Sequence, residues 1–305
     1  KECVYRIVFN LFVVEKIFPG MYFLLRDVNK TFPEVTKVKS LKSLYGDYFS
    51  ERVVLYNTIE VIYADKCIKF SGQDLVERKI SAGPDYYVRK HKDILIFESK
   101  DFLIPADAKI SFDFARYEEE FEKKLYFEIN GGKEKHVGIM QLISFIKKLL
   151  TKDFSADTNY NYREVSIYPI IVVHDHQYNA PGFNRLIDYW FQSELEILND
   201  EGLYTEHVKS LIVINIDSLI YHQVGLSENI SLNKVLEKYI EHIKKQDNRK
   251  FRSKEEMEAC ILSKQIAFST FINEYFQNEG LTKKPPLLEI VAPLLFENDK
   301  RQGVS

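Results

Sequence analysis

Residues 84–100 read PDYYVRKHKDILIFESK, and this stretch decides the fold of the chain. The apolar run at 93–97 is entered from a charged turn, which is typical of a buried strand. Glu98 and Lys100 end that strand, and because strand side chains alternate between faces, the two lie on the same face. The turn before the strand brings Asp85 near them in an adjacent hairpin strand. We therefore expect two acids and one lysine to converge.

The hydrophobic pattern around this stretch predicts an α/β domain. Upstream, residues 40–62 carry apolar side chains mostly at spacings of three and four, as an amphipathic helix does. Downstream, the pattern predicts a strand-like segment at 109–114, helices at 117–127, 137–150 and 183–198, strands at 165–173 and 208–216, and helical stretches at 232–245 and 254–278. Segments 4–14 and 21–25 fit either strands or short buried helices. The order of elements indicates a central mixed sheet flanked by helices, with additions at both ends.

Composition limits the class of protein. With 305 residues, 45% of them hydrophobic and 14% aromatic, the chain has ample material for a packed core. A formal charge of −3 gives no overall attraction to a polyanion, so any nucleic-acid surface must be a local patch. Three cysteines without CxxC spacing argue against a disulfide framework or structural zinc, which favours a cytoplasmic setting. The apolar runs are too short for a membrane span. A start at Lys1 in place of Met indicates a fragment or processed chain, from which an N-terminal targeting signal could have been removed.

Asp85, Glu98 and Lys100 match the needs of phosphodiester hydrolysis. That reaction needs a cation that neutralises developing phosphoryl charge and acidifies the attacking water, and carboxylate oxygens are hard ligands that suit Mg²⁺. Asp85 and Glu98 would supply those ligands, with Mn²⁺ as a substitute metal. An ammonium beside the metal can lower its own pKa or hold the attacking hydroxide, which an arginine does less well because it keeps its proton. Lys100 is predicted to take that role.

This arrangement resembles the PD-(D/E)xK superfamily of restriction-enzyme-like nucleases over about residues 41–175. The resemblance implies a restriction-endonuclease-like core, in which a helix precedes a mixed sheet with the acids on its second and third strands, and a second helix and a further strand follow. It implies an N-terminal extension at 1–40, a core at 41–180 and a C-terminal extension of unassigned role at 181–305. The implied function is metal-dependent hydrolysis of DNA in microbial genome defence or restriction, by a homodimer or with other subunits of a defence complex.

The resemblance also implies further site residues. The residue between the acid and the lysine contributes its backbone carbonyl to the metal, which is Ser99 here. An acid on the first helix joins the site, and Glu51 is the best-placed match. Its rivals are Asp47 and Glu60. Members related to recombination exonucleases carry a glutamine on the second core helix, followed four residues later by an aromatic, and Gln141 and Phe145 occupy those positions.

Three other interpretations of the same residues stay open. In a purely structural one, Asp85 closes a turn, and Glu98 and Lys100 form a surface ion pair of little energetic value. In another, the chain is a catalytically inactive nuclease-fold module that acts in nucleic-acid binding or complex assembly. An unrelated α/β fold would follow if Asp85 and Glu98 lay more than about 8 Å apart, because one cation could not bridge them.

Two further motifs carry charge or metal-ligand chemistry. His174-Asp175-His176 follows a predicted strand, and without a third ligand nearby we interpret it as a loop with exposed histidines. A contact of these histidines with the substrate phosphate stays open as an alternative. The segment 244–254 has six basic residues against one acid, with Phe251 available to stack on a base. The pattern predicts a nucleic-acid contact through Lys244, Lys245, Arg249, Lys250, Arg252 and Lys254. A solvated junction between two helices explains these charges equally well.

Overall fold

The protein is organised around a five-stranded mixed β-sheet, seen in a computed structural model that describes residues 22–64, 67–130, 133–244 and 253–283. The strands in these ranges are β1 (Ile68–Ser71), β2 (Tyr86–Lys90), β3 (Asp93–Lys100), β4 (Phe127–Asn130), β5 (Lys133–His136), β6 (Ser166–Val173) and β7 (Ile212–Asn215). The sheet has the order β1-β2-β3-β6-β7, while β4 and β5 form a separate hairpin. β1 to β3 pair antiparallel, and β6 and β7 continue parallel to β3. The predicted α/β class with a central mixed sheet is confirmed.

Helices cover both faces of this sheet. α1 is one continuous helical run made of Leu41–Leu44, a π-helical segment Tyr45–Leu55, and Tyr56–Ile62. The others with defined bounds are α2 (Gly72–Glu77), α3 (Ala106–Ile110), α4 (Phe114–Leu125), α5 (Ile139–Thr151), α6 (Phe183–Asp200), α7 (Ile216–Glu228), α8 (Leu232–Lys244), α9 (Lys254–Ser263) and α10 (Phe268–Asn278). Residues 22–31 are helical as well, so the described part of 21–25 is a helix, but Phe23, Leu24 and Leu25 are exposed and it is not the buried helix that was the alternative to a strand. Within the described ranges, no helix has both the length and the apolar character that crossing a bilayer requires.

The sheet separates two hydrophobic cores, which explains why its central strands are apolar throughout. In β3, Ile94 and Ile96 belong to the core with α5 and α6, whereas Leu95 and Phe97 belong to the core with α1, α7, α8 and α10. A strand that is buried on both faces loses the usual alternation of apolar and polar residues. After Asp93, which opens the strand and accepts a hydrogen bond from Asn233, polar side chains return only at Glu98, near the carboxyl end. The chemistry of β3 is therefore confined to one edge of the sheet.

The prediction of a strand-like segment at 109–114 is wrong. The chain forms α3 directly after Pro105, and α4 begins at Phe114. Ile110 and Phe112 are 73% and 95% exposed, so the alternation that suggested a strand corresponds to no buried face. Sheet propensity depends on such burial against neighbours more than on the residues themselves.

The C-terminal region contributes to the same sheet. The predicted strand at 208–216 is shorter in the structure, with an isolated bridge at Val208 and β7 at Ile212–Asn215. It ends there because the Asn215 Oδ1 atom accepts the Asp217 backbone N–H at 2.9 Å and caps α7. The predicted helical stretch at 254–278 is divided into α9 and α10. The sheet thus includes a strand from the region to which the sequence assigned no role.

Candidate active site at the carboxyl end of β3

Asp85 and Glu98 face each other across the β2–β3 hairpin. The antiparallel register pairs Tyr86 with Phe97, and one step further along the hairpin Asp85 stands opposite Glu98. The Asp85 Oδ2 atom accepts a hydrogen bond from the Ser99 backbone N–H at 2.6 Å, which fixes the aspartate against β3. Glu98 is only 2% exposed. The structure therefore brings together the two acids that the sequence singled out.

Lys100 joins them on the same face of β3 as Glu98. Its Nζ atom donates to Glu98 Oε1 at 2.6 Å and to Gln141 Oε1 at 2.9 Å. The lysine side chain is 19% exposed and the glutamate side chain 2%, so their ion pair is largely buried. Removing one partner of such a pair leaves an uncompensated buried charge, whereas an exposed pair contributes little. The interpretation as an ordinary surface ion pair does not fit this burial.

Gln141 is fixed by the first turn of α5. Its Oε1 atom also accepts the Gly138 backbone N–H at 2.8 Å. Gly138 precedes the helix with a φ of +44°, which L side chains rarely adopt. A Cβ at this position would lie 2.4 Å from the Leu125 carbonyl oxygen. The glycine thus sets where α5 begins and where Gln141 meets Lys100.

Replacing Gly138 by alanine should lower the free energy of unfolding by about 1–2 kcal/mol more than replacing Gly202 by alanine. Both glycines have a positive φ, but a Cβ at Gly202 meets nothing within 4 Å. The difference between the variants therefore reports the clash with the Leu125 carbonyl. Urea denaturation followed by circular dichroism measures it, and equal losses of stability would contradict the prediction.

Glu51 enters from α1, which packs on the other face of the sheet. It lies in the π-helical segment. π-Helical turns are rare in proteins, and those that occur are often found at functional sites. The Tyr56 hydroxyl donates a hydrogen bond to Glu51 Oε1, and the charge of Glu51 acts on Glu98. Of its two rivals, Asp47 accepts a hydrogen bond from Ser43 at 3.0 Å, and its charge also raises the pKa of Asp85 and of Glu51, so it lies near the site. Glu60 accepts from Lys69 and Tyr86 instead.

The carboxylates repel one another in a buried setting, which raises their pKa values. Burial, and then the charge of Asp85, raises the pKa of Glu98 to about 8 and that of Glu51 to about 7. Burial also raises the pKa of Asp85, against the opposing charge of Lys100. Burial disfavours the charged form of Lys100, but Glu98 and Asp85 outweigh it and raise the lysine pKa. Of the two roles that the sequence left open for this lysine, the ammonium that holds a negative oxygen fits the structure.

A divalent cation fits this donor set in charge and in ligand chemistry. When Asp85, Glu98 and Glu51 are all ionised, the single Lys100 ammonium does not balance their charge. The oxygen atoms of Asp85, Glu98 and the Ser99 backbone are the hard ligands that Mg²⁺ prefers. Within the described ranges, no three His, Cys, Asp or Glu side chains are arranged to hold a metal ion as they stand. Mg²⁺ commonly binds through one or two carboxylates together with waters and substrate phosphates. The two carboxylates and the backbone carbonyl are therefore ligands of the kind that an Mg²⁺ site of this sort requires.

His174 is a neighbour of the site that the sequence interpretation missed. Its Nε2 atom lies 2.9 Å from Ser99 Oγ, and burial lowers its pKa to about 4, so the ring is neutral. His176 pairs with Asp217 at 2.6 Å. The interpretation of both histidines as exposed is wrong, because the parallel pairing of β3 with β6 brings the end of β6 beside Ser99.

A basic cleft adjoins the acidic residues. It has a volume of about 650 Å³, and among the described residues that line it Glu34 is the single acid. The basic residues that line it are Arg26, Lys30, Lys37, Lys39 and Lys42. Arg26 and Lys30 both pair with Asp27, and Lys37 pairs with Glu34, so part of this positive charge is already balanced. Lys42 connects this cleft to the end of β3, because its Nζ atom bonds Asp101 Oδ1 at 2.6 Å. The Ser50 hydroxyl donates to the other oxygen of Asp101 at 2.7 Å, so two residues of α1 bind the carboxylate that follows β3.

The predicted nucleic-acid contact at 244–254 falls largely outside the described residues. Lys244 ends α8 and Lys254 begins α9, so the segment does join two helices. Lys245, Arg249, Lys250 and Arg252 lie outside the described ranges. This contact stays a prediction.

Comparisons with known proteins returned no relative. No family model matches the chain, and no similar protein was found among curated proteins or among solved structures. The site is therefore described by its own geometry.

Proposed function

We propose that the protein is a metal-dependent nuclease of the PD-(D/E)xK type that hydrolyses phosphodiester bonds of DNA. The observation that carries the proposal is the buried contact of Lys100 with Glu98, opposite Asp85, at the end of β3. The order of elements supports it, since α1 precedes β1 to β3, α5 follows, and β6 pairs with β3. That order is the one the resemblance implies for a restriction-endonuclease-like core, here with α3, α4 and the β4–β5 hairpin inserted.

The site residues have distinct roles in this proposal. Asp85, Glu98 and the Ser99 carbonyl would hold Mg²⁺, with Glu51 adding negative charge beside them. When bound, Mg²⁺ neutralises developing charge on the phosphoryl group and acidifies the attacking water. Lys100 keeps its proton and stabilises negative oxygen by donating hydrogen bonds from a largely buried position. Its position is set by Glu98 and Gln141, so it needs little reorganisation during the reaction.

The purified protein should cut DNA in the presence of Mg²⁺ or Mn²⁺ and not in EDTA. Supercoiled plasmid, linear duplex, single-stranded DNA and RNA, tested in parallel, separate endonuclease from exonuclease action and DNA from RNA. Folding is checked by circular dichroism, and Mg²⁺ binding by calorimetry. A folded protein that cuts none of these and binds no Mg²⁺ would refute the catalytic proposal and favour an inactive binding or assembly module.

The basic cleft is the proposed path of the DNA backbone to this site. Replacing Arg26, Lys30 and Lys39 together by glutamine should weaken duplex binding. The slope of log K against log salt should fall by about one for each phosphate that the variant no longer neutralises. Lys42 is left unchanged because it bonds Asp101. Fluorescence anisotropy over a range of NaCl concentrations in EDTA measures both quantities without cleavage.

A second triple variant controls for the change in net charge. Lys135, Lys152 and Lys234 are exposed and do not line the cleft, and their replacement by glutamine removes the same charge. This variant should keep the wild-type slope. If the slope falls equally in the two triple variants, the cleft is not the path of the DNA.

A further inference from the structure

A second and larger cleft, of about 820 Å³, lies at the carboxyl end of β7, close to the acidic residues. The segment 174–179 links this cleft to the acidic residues. His174 at its start contacts Ser99, whereas His176 pairs with Asp217 in the cleft. The described residues that line it include no lysine or arginine, and Asp217 is the one acid among them. Other polar lining residues include Asn215, Ser218, His222, Ser269, Thr270 and Asn273. Apart from His176, which pairs with Asp217, none of the described lining residues offers a positive charge to an anion, so the chemistry favours a neutral, polar ligand.

Two buried side chains of this cleft carry polar atoms without a partner among the described residues, the Asn215 Nδ2 and His222 Nδ1 atoms. The Asn215 Oδ1 atom accepts the Asp217 backbone N–H, so its other side-chain atom is the amide donor. His222 Nε2 faces Asn273 Oδ1 at 2.7 Å and donates to it. Burial lowers the pKa of His222, so the ring is neutral and Nδ1 is an acceptor. Buried polar groups nearly always have partners, and in this part of the described chain one donor and one acceptor lack them.

We propose that this cleft binds a nucleobase. The Asn215 Nδ2 and His222 Nδ1 atoms are buried at the wall of the cleft, so a base would reach them only after these side chains turn towards it. The edge of a base places hydrogen-bond donors beside acceptors, which would then complement the Asn215 donor and the His222 acceptor. Tyr221 also lines the cleft and is 38% exposed, so it offers an aromatic face for stacking. The volume is within the range of small-molecule sites. The base belongs either to a strand that reaches the neighbouring acidic site or to a free nucleoside, and binding does not require cleavage.

Calorimetric titration of the full chain in EDTA with adenosine, cytidine, guanosine and uridine tests the proposal. At least one nucleoside should bind saturably, while ribose, which lacks the base, should not. Competition with a short single-stranded oligonucleotide then separates the sources. Displacement of the nucleoside assigns the base to a strand, and no displacement assigns it to a free nucleoside.

Two substitutions locate the binding in this cleft. Asn215→Ser keeps a helix-capping oxygen for α7 but removes the amide donor, and Tyr221→Ala removes the stacking face. Each should weaken nucleoside binding by about tenfold. Tyr189→Ala is the matched control, because Tyr189 is 67% exposed on α6 and does not line the cleft. The proposal is overturned if no nucleoside binds, if ribose binds equally well, or if Asn215→Ser and Tyr221→Ala both bind as the wild type does. Cleavage is assayed separately with Mg²⁺, so nucleoside binding is tested independently of whether the protein cuts DNA.

Discussion

Lys100→Met should lower the rate of Mg²⁺-dependent DNA cleavage by about a thousandfold. Methionine keeps most of the length and packing of the side chain but removes the ammonium that Glu98 and Gln141 hold. A positive group positioned in a buried site is worth more than the same group in water, because the surroundings screen it less. Single-turnover cleavage of a labelled duplex at saturating Mg²⁺ measures the chemical step apart from binding.

Lys92→Met is the matched control for this substitution. Lys92 lies in the turn between β2 and β3, at the opposite end of β3 from the site, and its side chain is 71% exposed beside Glu164. It should cleave at the wild-type rate. Asp85→Asn should behave like Lys100→Met, because it removes a proposed metal ligand while keeping the shape. A folded Lys100→Met protein with wild-type activity would show that this lysine has no part in the chemistry.

The trio of Asp85, Glu98 and Lys100 could be predicted because its geometry is local. Residues two apart on a strand share a face, and a hairpin brings its two strands together with only a short turn between them. The sequence therefore contained both the strand and its partner within residues 84–100. Gln141 lies 41 positions from Lys100, and only the family resemblance indicated it.

The other contacts of the site depend on pairings that no local pattern encodes. Ser99 meets His174 because β3 pairs in parallel with β6, and the two residues are 75 positions apart. Lys42 and Ser50 reach Asp101 from α1 across more than 50 positions. Parallel pairing needs a long crossover connection, so its register cannot be derived from a turn as that of a hairpin can. The prediction for the segment at 109–114 failed for a related reason, since its alternating residues have no buried face to match.

The free energy of unfolding of the metal-free protein should fall by on the order of 2 kcal/mol between about pH 6.5 and 8.5. The pKa of Glu98 is about 8 in the folded protein against an ordinary 4.5, so the fold keeps a proton that the unfolded chain has released. Stability from this group is complete below the unfolded pKa and is lost as the pH rises through 8. Glu51, with a pKa of about 7, acts in the same direction. The lowered pKa of His174 acts oppositely, but mainly below about pH 6.5, outside this window.

Glu98→Gln should flatten this dependence, because glutamine is neutral at every pH. Glu164→Gln, at a half-exposed surface ion pair with Lys92, should keep the wild-type slope.

Mg²⁺ should raise the Tm of the wild type more at the upper end of the pH window than at the lower end, since ionised carboxylates bind the cation better. Urea unfolding at each pH and thermal scans with and without Mg²⁺ measure the two effects. If the free energy of unfolding of the wild type does not change with pH in this window, the pKa values of the site carboxyls are not raised by folding. If Mg²⁺ reduces the loss of stability with rising pH in a protein that cuts no nucleic acid, the fold keeps the metal site but not the catalytic activity.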